Sequence, residues 1–399
     1  MTKLLDLKNN SVIAINQNNY TKEDNYKKVC YLDTDNITNN RINAFLKIDL
    51  TKEKLPSRAK RKCSLNSIIC SSVRPNQRHF GIIKEIPKNF LVSTAFIVID
   101  IIDLEKLDPN YLYYYITQDK ITHYLQRIAE CRTSSYPSIT PLDFLNIKIK
   151  LYPLETQQKI ARTLSILDQK IENNHKINEL LHKILELLYE QYFVRFDFLD
   201  ENNKPYQTSG GKMKFSKELN RLIPSGWSVR FLNHKIVSTY QPKTISKTLL
   251  NDSYSYSVYG GGGIIGRFTE YNHEQSEFII SCRGQCGISY LTLPKSWITG
   301  NAMVIRPTKS YTSKTYLYHT IKKYKLTNYI TGSVQPQITR QNLSTMPILI
   351  PKRKTLNKWN NISSLLWNLI HNNMQATQTL TALRDFLLPL LLTQQVKPQ

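Results

Sequence analysis

The chain has 399 residues, of which 41% are hydrophobic, and its formal net charge at pH 7 is +24. This length and hydrophobic content suffice for two or three domains with cores of their own, which excludes a disordered chain. No apolar run reaches the ~18 residues that a membrane-spanning helix requires, and no secretory leader precedes the six cysteines, so we predict a cytoplasmic protein with reduced thiols. The cysteines form no CxxC pair, and we predict no metal site.

The positive charge is unevenly distributed. Residues 1–150 contain 23 Lys and Arg against 15 Asp and Glu, residues 151–200 contain 6 against 8, and residues 201–399 contain 25 against 7. A basic surplus on both sides of a nearly neutral segment indicates an anionic partner, most simply nucleic acid. A Lys- and Asn-rich bias of the whole proteome would give the same totals, so charge alone leaves both interpretations open.

An internal repeat divides the chain, because residues 137–188 reappear 199 positions later as residues 336–387. A period this long indicates duplicated domains rather than a solenoid. The similarity is highest in two predicted helices and the strands that lead into them, and lowest in the regions before these strands. The clearest matching segments are 137–140 with 336–339, 171–174 with 370–373, 111–113 with 316–318, and 72–74 with 281–283.

Residues 1–152 contain short apolar runs that are typical of β-strands, and we predict an α+β globular domain here. This domain carries two groups of cations, from which Lys and Arg can neutralise phosphates and Arg can also pair with guanine edges. A solvated basic face would explain any single member equally well. The candidate DNA-binding residues are Arg58, Lys60, Arg61, Lys62, Arg74 and Arg78.

A long helix is predicted within residues 153–200. Neither Gly nor Pro occurs from Glu155 to Arg195, and apolar residues alternate in steps of four and three, the seam of a coiled coil. Asn174 and Asn178 interrupt this seam, either as a device that fixes the register or as a solvated gap. The predicted seam residues are Leu164, Leu167, Ile171, Leu181, Leu185 and Leu188.

Residues 201–221 are polar and contain Gly and Pro, which predicts a linker, and residues 222–351 repeat the α+β pattern of the first domain. The run 260–263 consists of four glycines without the Lys-Ser/Thr of a phosphate-binding loop, so we predict a flexible loop that lets the backbone approach DNA closely. The candidate DNA-binding residues of this domain are Tyr259, Arg267, Arg283, Gln285, Gln335, Gln337 and Arg340.

Residues 352–399 predict a second helix, which we expect to end at Pro389 because proline cannot continue a helix interior. We expect the two helices to pair into a rod of roughly 50–60 Å, at ~1.5 Å per residue, although each could instead pack only on its own domain. The predicted seam residues of the second helix are Leu366, Ile370, Leu380 and Leu387.

The sequence favours binding over catalysis. The tetrapeptide 108–111, Asp-Pro-Asn-Tyr, resembles the Asp-Pro-Pro-Tyr signature of amino-methyltransferases, but it lacks the second proline and is typical of a helix start. We find no Gly-rich loop for S-adenosylmethionine, no Ser/His/Asp set with recognisable spacing and no metal-carboxylate nuclease centre. We therefore predict that the chain is not an enzyme.

Along essentially its whole length the chain resembles the specificity (S) subunit of type I restriction–modification systems. The resemblance implies an α+β fold in which two mixed target-recognition domains are separated by two long conserved helices, paired as an antiparallel coiled coil with a pseudo-two-fold repeat. The segments that carry it are 55–59, 72–75, 93–96, 111–115, 153–161, 167–168, 223–227, 259–260 and 332–338.

The resemblance also implies a function and partners. An S subunit of this family recognises a bipartite asymmetric DNA site, with one half per domain and a gap set by the helices. Two methyltransferase (M) subunits dock on it and use S-adenosylmethionine, and restriction (R) subunits join with ATP and Mg²⁺, so no cofactor is expected in this chain. The alternatives are the recognition subunit of a type II system with a fused nuclease–methyltransferase, a DNA-modifying enzyme, and a coiled-coil adaptor without DNA contact.

Overall fold

The computed structural model describes residues 1–132, 136–251, 254–284, 286–333 and 335–397. The chain forms two compact units: unit 1 comprises Met1–Glu172 with Thr377–Gln399, and unit 2 comprises Asn173–Ala376. Each of the two long helices therefore contributes to both units. In the part of the chain that the structure describes, no helix is long and apolar enough to cross a membrane.

The first half of the chain alternates short strands with helices before the first long helix begins. Its elements are β1 (Thr2–Lys3), α1 (Leu4–Asn9), β2 (Ile13–Ile15), β3 (Lys28–Leu32), β4 (Ile37–Thr38), β5 (Arg41–Ile42), β6 (Leu46–Asp49), β7 (Ala59–Arg61), β8 (Ile68–Ser71), β9 (Phe80–Ile82), β10 (Phe90–Ser93), β11 (Phe96–Ile101), α2 (Pro109–Ile116), α3 (Asp119–Glu130), α4 (Pro141–Leu145), β12 (Lys148–Ile149) and α5 (Leu154–Tyr189). A π-helical turn, Glu190–Val194, continues α5.

The second half of the chain follows the same general order. Its elements are β13 (Met213–Ser216), β14 (Arg221–Pro224), β15 (Ser228–Phe231), β16 (Val237–Tyr240), β17 (Tyr256–Gly260), β18 (Gly263–Phe268), β19 (Phe278–Ser281), β20 (Ser289–Leu291), β21 (Trp297–Ile298), β22 (Ala302–Pro307), α6 (Lys314–Lys322), β23 (Ile330–Thr331), β24 (Gln337–Ile338), α7 (Arg340–Leu343), β25 (Pro347–Ile350) and α8 (Arg353–Thr393). The mixed fold predicted from the sequence is confirmed.

The central sheet of unit 1 has the order β2-β11-β8-β9 and is covered on both faces. Side chains alternate along a strand, so Ile97 and Ile99 of β11 pack into one hydrophobic cluster with α2 and the start of α5. Phe96 and Val98 point to the opposite face and pack with β3 and β10 of a second sheet. This double burial explains why β8 and β11 are continuous apolar runs.

Unit 2 repeats this sheet with the order β16-β22-β19-β20. The alternation recurs, since Met303 and Ile305 of β22 pack towards the helices while Ala302 and Val304 pack with β17 and β21. In both units a helical tyrosine bonds to the segment that leads into a long helix: Tyr111 donates a hydrogen bond to the Lys150 carbonyl at 2.5 Å and Tyr316 to the Leu349 carbonyl at 2.6 Å. The internal repeat is thus present in strand order and side-chain contacts.

The two long helices run antiparallel where they meet in unit 1. The Tyr152 hydroxyl, just before α5, donates to the Leu392 carbonyl at 3.0 Å, and Arg384 pairs with Asp168 at 2.9 Å. Residue numbers therefore fall along α8 as they rise along α5. Leu164 is fully buried at this contact.

The helices are also antiparallel within unit 2. Asn373 donates from Nδ2 to Oδ1 of Asn178 at 2.9 Å, and Asn178 in turn donates to the Ile370 carbonyl at 3.3 Å. Further along, the rings of His182 and Trp367 meet at 5.1 Å between centroids. Asn178 of the predicted seam is thus hydrogen-bonded to the other helix, and all ten predicted apolar seam residues are buried or partly buried.

The structure corrects the predicted end of the second helix. The second helix continues through Pro389 to Thr393 because Leu391 and Leu392 are buried in the core of unit 1, and this packing outweighs the lost backbone hydrogen bond. Strand β13 lies within the predicted linker and pairs with β14. The polar composition of the linker did not predict one apolar contact in it: Tyr206 stacks on Phe198, which packs on Trp227.

Candidate nucleic-acid interface

The basic group at residues 58–62 of unit 1, on and beside strand β7, divides its cations between two faces. Arg58 and Lys60 are exposed. Lys62 is held in an ion pair with Asp24 at 2.6 Å, and this hydrogen bond raises the pKa of Lys62. Because strand residues alternate, Arg61 points the other way and is half-buried; burial lowers its pKa, and its Nη1 atom lacks a hydrogen-bond partner among the described residues. Only part of this predicted group is therefore presented to solvent.

A short turn, Pro75–Gln77, carries the second basic group of unit 1. The arginines on either side of it, Arg74 and Arg78, both have left-handed backbones, with φ of 47° and 53°. Arg78 forms an ion pair with Asp119, whereas exposed Arg74 lies over the ring of Tyr136 at 5.4 Å. A positive φ is uncommon for arginine, and with Arg74 exposed this segment is a candidate contact region.

In unit 2 the structure gives two predicted DNA-binding residues other roles. Tyr259 is only 3% exposed, its hydroxyl accepts a hydrogen bond from the Leu293 N–H at 3.0 Å, and burial raises its pKa to about 12. It is a core residue and presents no face to DNA. The Arg267 guanidinium, on β18, is held by the carbonyl oxygens of Tyr254 and Ser255.

The remaining predicted residues of unit 2 are on the surface. Arg283, Gln335, Gln337 and Arg340 are all exposed. Arg283 and Gln337 are brought together, because they face each other as partners of an isolated antiparallel bridge. Gln285 lies outside the described residues.

The glycine run forms a tight turn rather than the predicted flexible loop. Gly260 ends β17 and pairs with Gly263 at the start of β18, leaving two turn residues. Gly263 has a φ of +94°, which only glycine adopts without strain. A side chain on Gly261 would lie 3.0 Å from the Arg283 carbonyl oxygen, so the turn packs directly beside the Arg283 bridge.

The hydrogen-bond pattern corrects the predicted match of residues 72–74 with 281–283 by one position. Ser72 donates to the Ala95 carbonyl and Cys282 to the Asn301 carbonyl, at equivalent points before β11 and β22. Arg74 therefore corresponds to Gly284, which shares its left-handed backbone with a φ of +71°, and Arg283 corresponds to Val73. The two units have similar backbones here with different side chains.

Each part of the helix pair carries a set of three exposed apolar side chains that the repeat relates to the set of the other part, and no role was predicted for this set from the sequence. In unit 1 it consists of Ile166, Leu383 and Phe386, which are 44%, 44% and 67% exposed; we call this trio A. In unit 2 it consists of Leu365, Ile184 and Leu187, which are 63%, 43% and 59% exposed; we call this trio B. A shift of 199 positions relates each member of one trio to a member of the other. In the sequence, the residues of both trios are recognisable as apolar positions beside the predicted seam.

Three histidines lie in an aromatic cluster of unit 2. His319 stacks on Tyr189 at 5.6 Å, and His182 and His371 lie 5.1 and 5.8 Å from the ring of Trp367. Burial lowers the pKa of all three, to about 3 for His319 and about 4 for His371. These side chains are therefore neutral at physiological pH.

Unit 2 is expected to lose stability on acidification. The unfolded chain takes up protons on His319 and His371 below about pH 6.5, while the folded state does not until pH falls to their lowered pKa values. The free energy of unfolding then falls by up to ~1.4 kcal/mol per pH unit for each histidine. Thermal unfolding between pH 7 and pH 4 measures this effect. The double variant His319→Phe, His371→Phe should flatten the dependence, and an unchanged slope would contradict the assignment.

The chain is similar in sequence and in fold to known proteins of one family. The model of the type I restriction modification DNA specificity domain matches residues 6–183 and 224–380. The type I restriction enzyme HindI specificity subunit of Haemophilus influenzae is 23% identical, with 93% of this chain and 95% of that protein covered. The MjaIX specificity subunit of Methanocaldococcus jannaschii is 24% identical, with 73% and 69% covered. The crystal structure of the S subunit from M. genitalium has a TM-score of 0.55 at 16% identity, with 98% of this chain and 99% of that chain covered.

Proposed function

This chain belongs to the family of type I restriction–modification DNA specificity domains, and on that basis we propose that it recognises a bipartite, asymmetric DNA site, one half per unit. The observation that carries the proposal is the repeated sheet, with β2-β11-β8-β9 in unit 1 and β16-β22-β19-β20 in unit 2. The same frame presents different side chains at equivalent points, such as Val73 in one unit and Arg283 in the other. Two similar frames with different surfaces are suited to two different half-sites.

The charge distribution supports DNA as the ligand of these units. Residues outside the helical segment 151–200 carry a net charge of +26, against −2 within it. Exposed Arg and Gln side chains can bond to phosphates and to base edges. Contacts with phosphates release counterions, so binding is expected to fall steeply as salt rises. A coiled-coil adaptor without DNA contact would lack this dependence.

The two exposed trios support two copies of one partner. Trio A and trio B are related by the 199-residue shift that relates the helices, so each unit carries a similar set of exposed apolar side chains on its part of the helix pair. Exposed apolar patches of this kind mark protein interfaces. We assign them to two methyltransferase subunits, with restriction subunits joining that assembly. In this proposal the chain itself is not catalytic, and S-adenosylmethionine, ATP and Mg²⁺ bind to the partner subunits.

Mapping methylated adenines tests the proposed function. The host genome is sequenced with detection of modified bases, with and without the gene for this chain. We expect one motif of two short parts separated by a fixed non-specific gap, methylated only when the gene is present. A motif that persists without the gene, or an undivided palindromic motif that depends on it, would contradict the proposal.

A further inference from the structure

The two units share one local structure that joins the end of a central strand to the segment before a short helix; we call it the bridge junction. In unit 1, Val73 bridges Ser138, and the Ile139 N–H donates to the Ser72 carbonyl at 2.8 Å. In unit 2, Arg283 bridges Gln337, and the Ile338 N–H donates to the Cys282 carbonyl at 3.0 Å. The backbone connection is equivalent in both units.

The junction of unit 2 presents two side chains suited to reading bases. Residues opposite each other in a bridge have Cβ atoms about 4.5–5.5 Å apart, so Arg283 and Gln337 form a neighbouring, exposed pair. Arginine can form two hydrogen bonds with O6 and N7 of guanine, and glutamine can form two with N6 and N7 of adenine. Their spacing is suited to bases that are close together.

The junction of unit 1 carries a different arrangement. Arg74 occupies the position of Gly284, its N–H donates to the Pro137 carbonyl at 2.9 Å, and its guanidinium lies over the ring of Tyr136. Tyr136 is 62% exposed although it is a large aromatic residue. A ring face orients a guanidinium without occupying its hydrogen-bond donors, so this contact leaves them to a guanine edge.

The glycine turn of unit 2 lies beside the bridge junction and offers a second position at which the junction can be tested. Gly261 packs against the Arg283 carbonyl, while Gly262, the next residue, is exposed, and a Cβ atom added to it would meet none of the described atoms within 4 Å. Gly262 does not have a left-handed backbone, so a side chain introduced there points into open space without strain. A charge at Gly262 is therefore a probe of whatever approaches the junction.

We propose that the bridge junction is the base-contacting element of each unit, with Arg283 and Gln337 specifying one half-site and Arg74, oriented by Tyr136, specifying the other. This inference rests on the proposed function as a DNA specificity subunit. It explains how one backbone serves two different half-sites, because the side chains at the junction differ while the hydrogen bond from Ile139 or Ile338 to the preceding strand is kept.

The test compares methylation motifs made by the complete methyltransferase complex containing single variants of this chain. Arg283→Ala and Gln337→Ala are expected to relax one position each of a single half-site, by about ten- to a hundred-fold in discrimination, and to leave the other half-site unchanged. Arg74→Ala and Tyr136→Ala should have the converse effect. The matched controls Arg162→Ala and Arg353→Ala remove the same charge from exposed positions on α5 and α8 and should leave both half-sites intact.

A second pair of variants covers the case in which a junction variant fails to fold. Gly262→Glu should weaken DNA binding by the complex at least ten-fold more than the uncharged, equally large Gly262→Gln, because a carboxylate repels an approaching phosphate backbone. If the wild type makes a bipartite motif but the junction variants retain it and the two Gly262 variants bind DNA equally, the junction proposal is overturned while the function stands. If the wild type makes no bipartite motif, the proposed function fails instead.

Discussion

A complex assembled with the Leu187→Asp variant is expected to contain one methyltransferase subunit instead of two. Leu187 belongs to trio B and is 59% exposed, so an aspartate there is solvated in the free protein and leaves the fold intact. At the centre of an apolar interface the same carboxylate would be buried without a partner. Truncations and charges at such positions weaken binding by ~2 kcal/mol or more, at least about 30-fold. Native mass spectrometry at micromolar concentration gives the stoichiometry directly.

The repeat supplies an internal control for this prediction. Phe386 of trio A is the counterpart of Leu187 after a shift of 199 positions, and it is 67% exposed. Phe386→Asp should likewise leave a 1:1 complex, and the double variant should bind no methyltransferase subunit. If a single variant removed both subunits or neither, the trios would not be independent and equivalent docking surfaces.

The helices were the most predictable part of the fold. Their periodicity and lack of Gly and Pro over residues 155–195 require no knowledge of long-range contacts, and α5 has nearly the expected bounds. The end of α8 was not predictable in the same way. Whether proline stops a helix depends on what the following residues pack against, and here Leu391 and Leu392 are buried in a core that comes mostly from the first half of the chain.

The candidate site was predicted less completely, for reasons of geometry. Sequence gives residue types but not which face of a strand meets solvent, so buried Tyr259 and half-buried Arg61 appeared equivalent to exposed Arg283. Alignment of the two halves by residue identity also paired Arg74 with Arg283, whereas its structural counterpart is Gly284. The correct register is fixed by hydrogen bonds to Ala95 and Asn301, which are more than 15 residues away in sequence.

A partly buried ion pair distinguishes unit 1 from unit 2 at the helix contact. Asp168 of α5 accepts hydrogen bonds from Arg384 at 2.9 Å and from the Tyr114 hydroxyl at 2.6 Å, and burial is the main cause of the raised pKa of Tyr114. After a shift of 199 positions, the equivalent of Asp168 is Trp367 and the equivalent of Arg384 is Leu185. Unit 2 is thus apolar where unit 1 is charged.

Removing one member of this pair is expected to destabilise unit 1 selectively. Arg384→Leu would leave the Asp168 carboxylate without its cation, and loss of one partner of a buried pair costs about 3–5 kcal/mol. Both side chains retain a quarter to a third of their exposure, so we expect a smaller loss of about 2–3 kcal/mol. Native-state hydrogen exchange of the full chain measures the effect, with the helix segments of unit 2 as the internal reference.

The companion variant separates a lost charge pair from lost packing. Asp168→Leu, Arg384→Leu and Tyr114→Phe together remove the charges from this contact, which is already uncharged in unit 2. They should restore unit 1 to within about 1 kcal/mol of the wild type because no partly buried charge or hydroxyl is left unpaired. If the triple variant were as unstable as Arg384→Leu, the packing of the long side chains would be the main contribution. If Arg384→Leu had no effect on exchange in unit 1, the ion pair would not stabilise the helix contact at all.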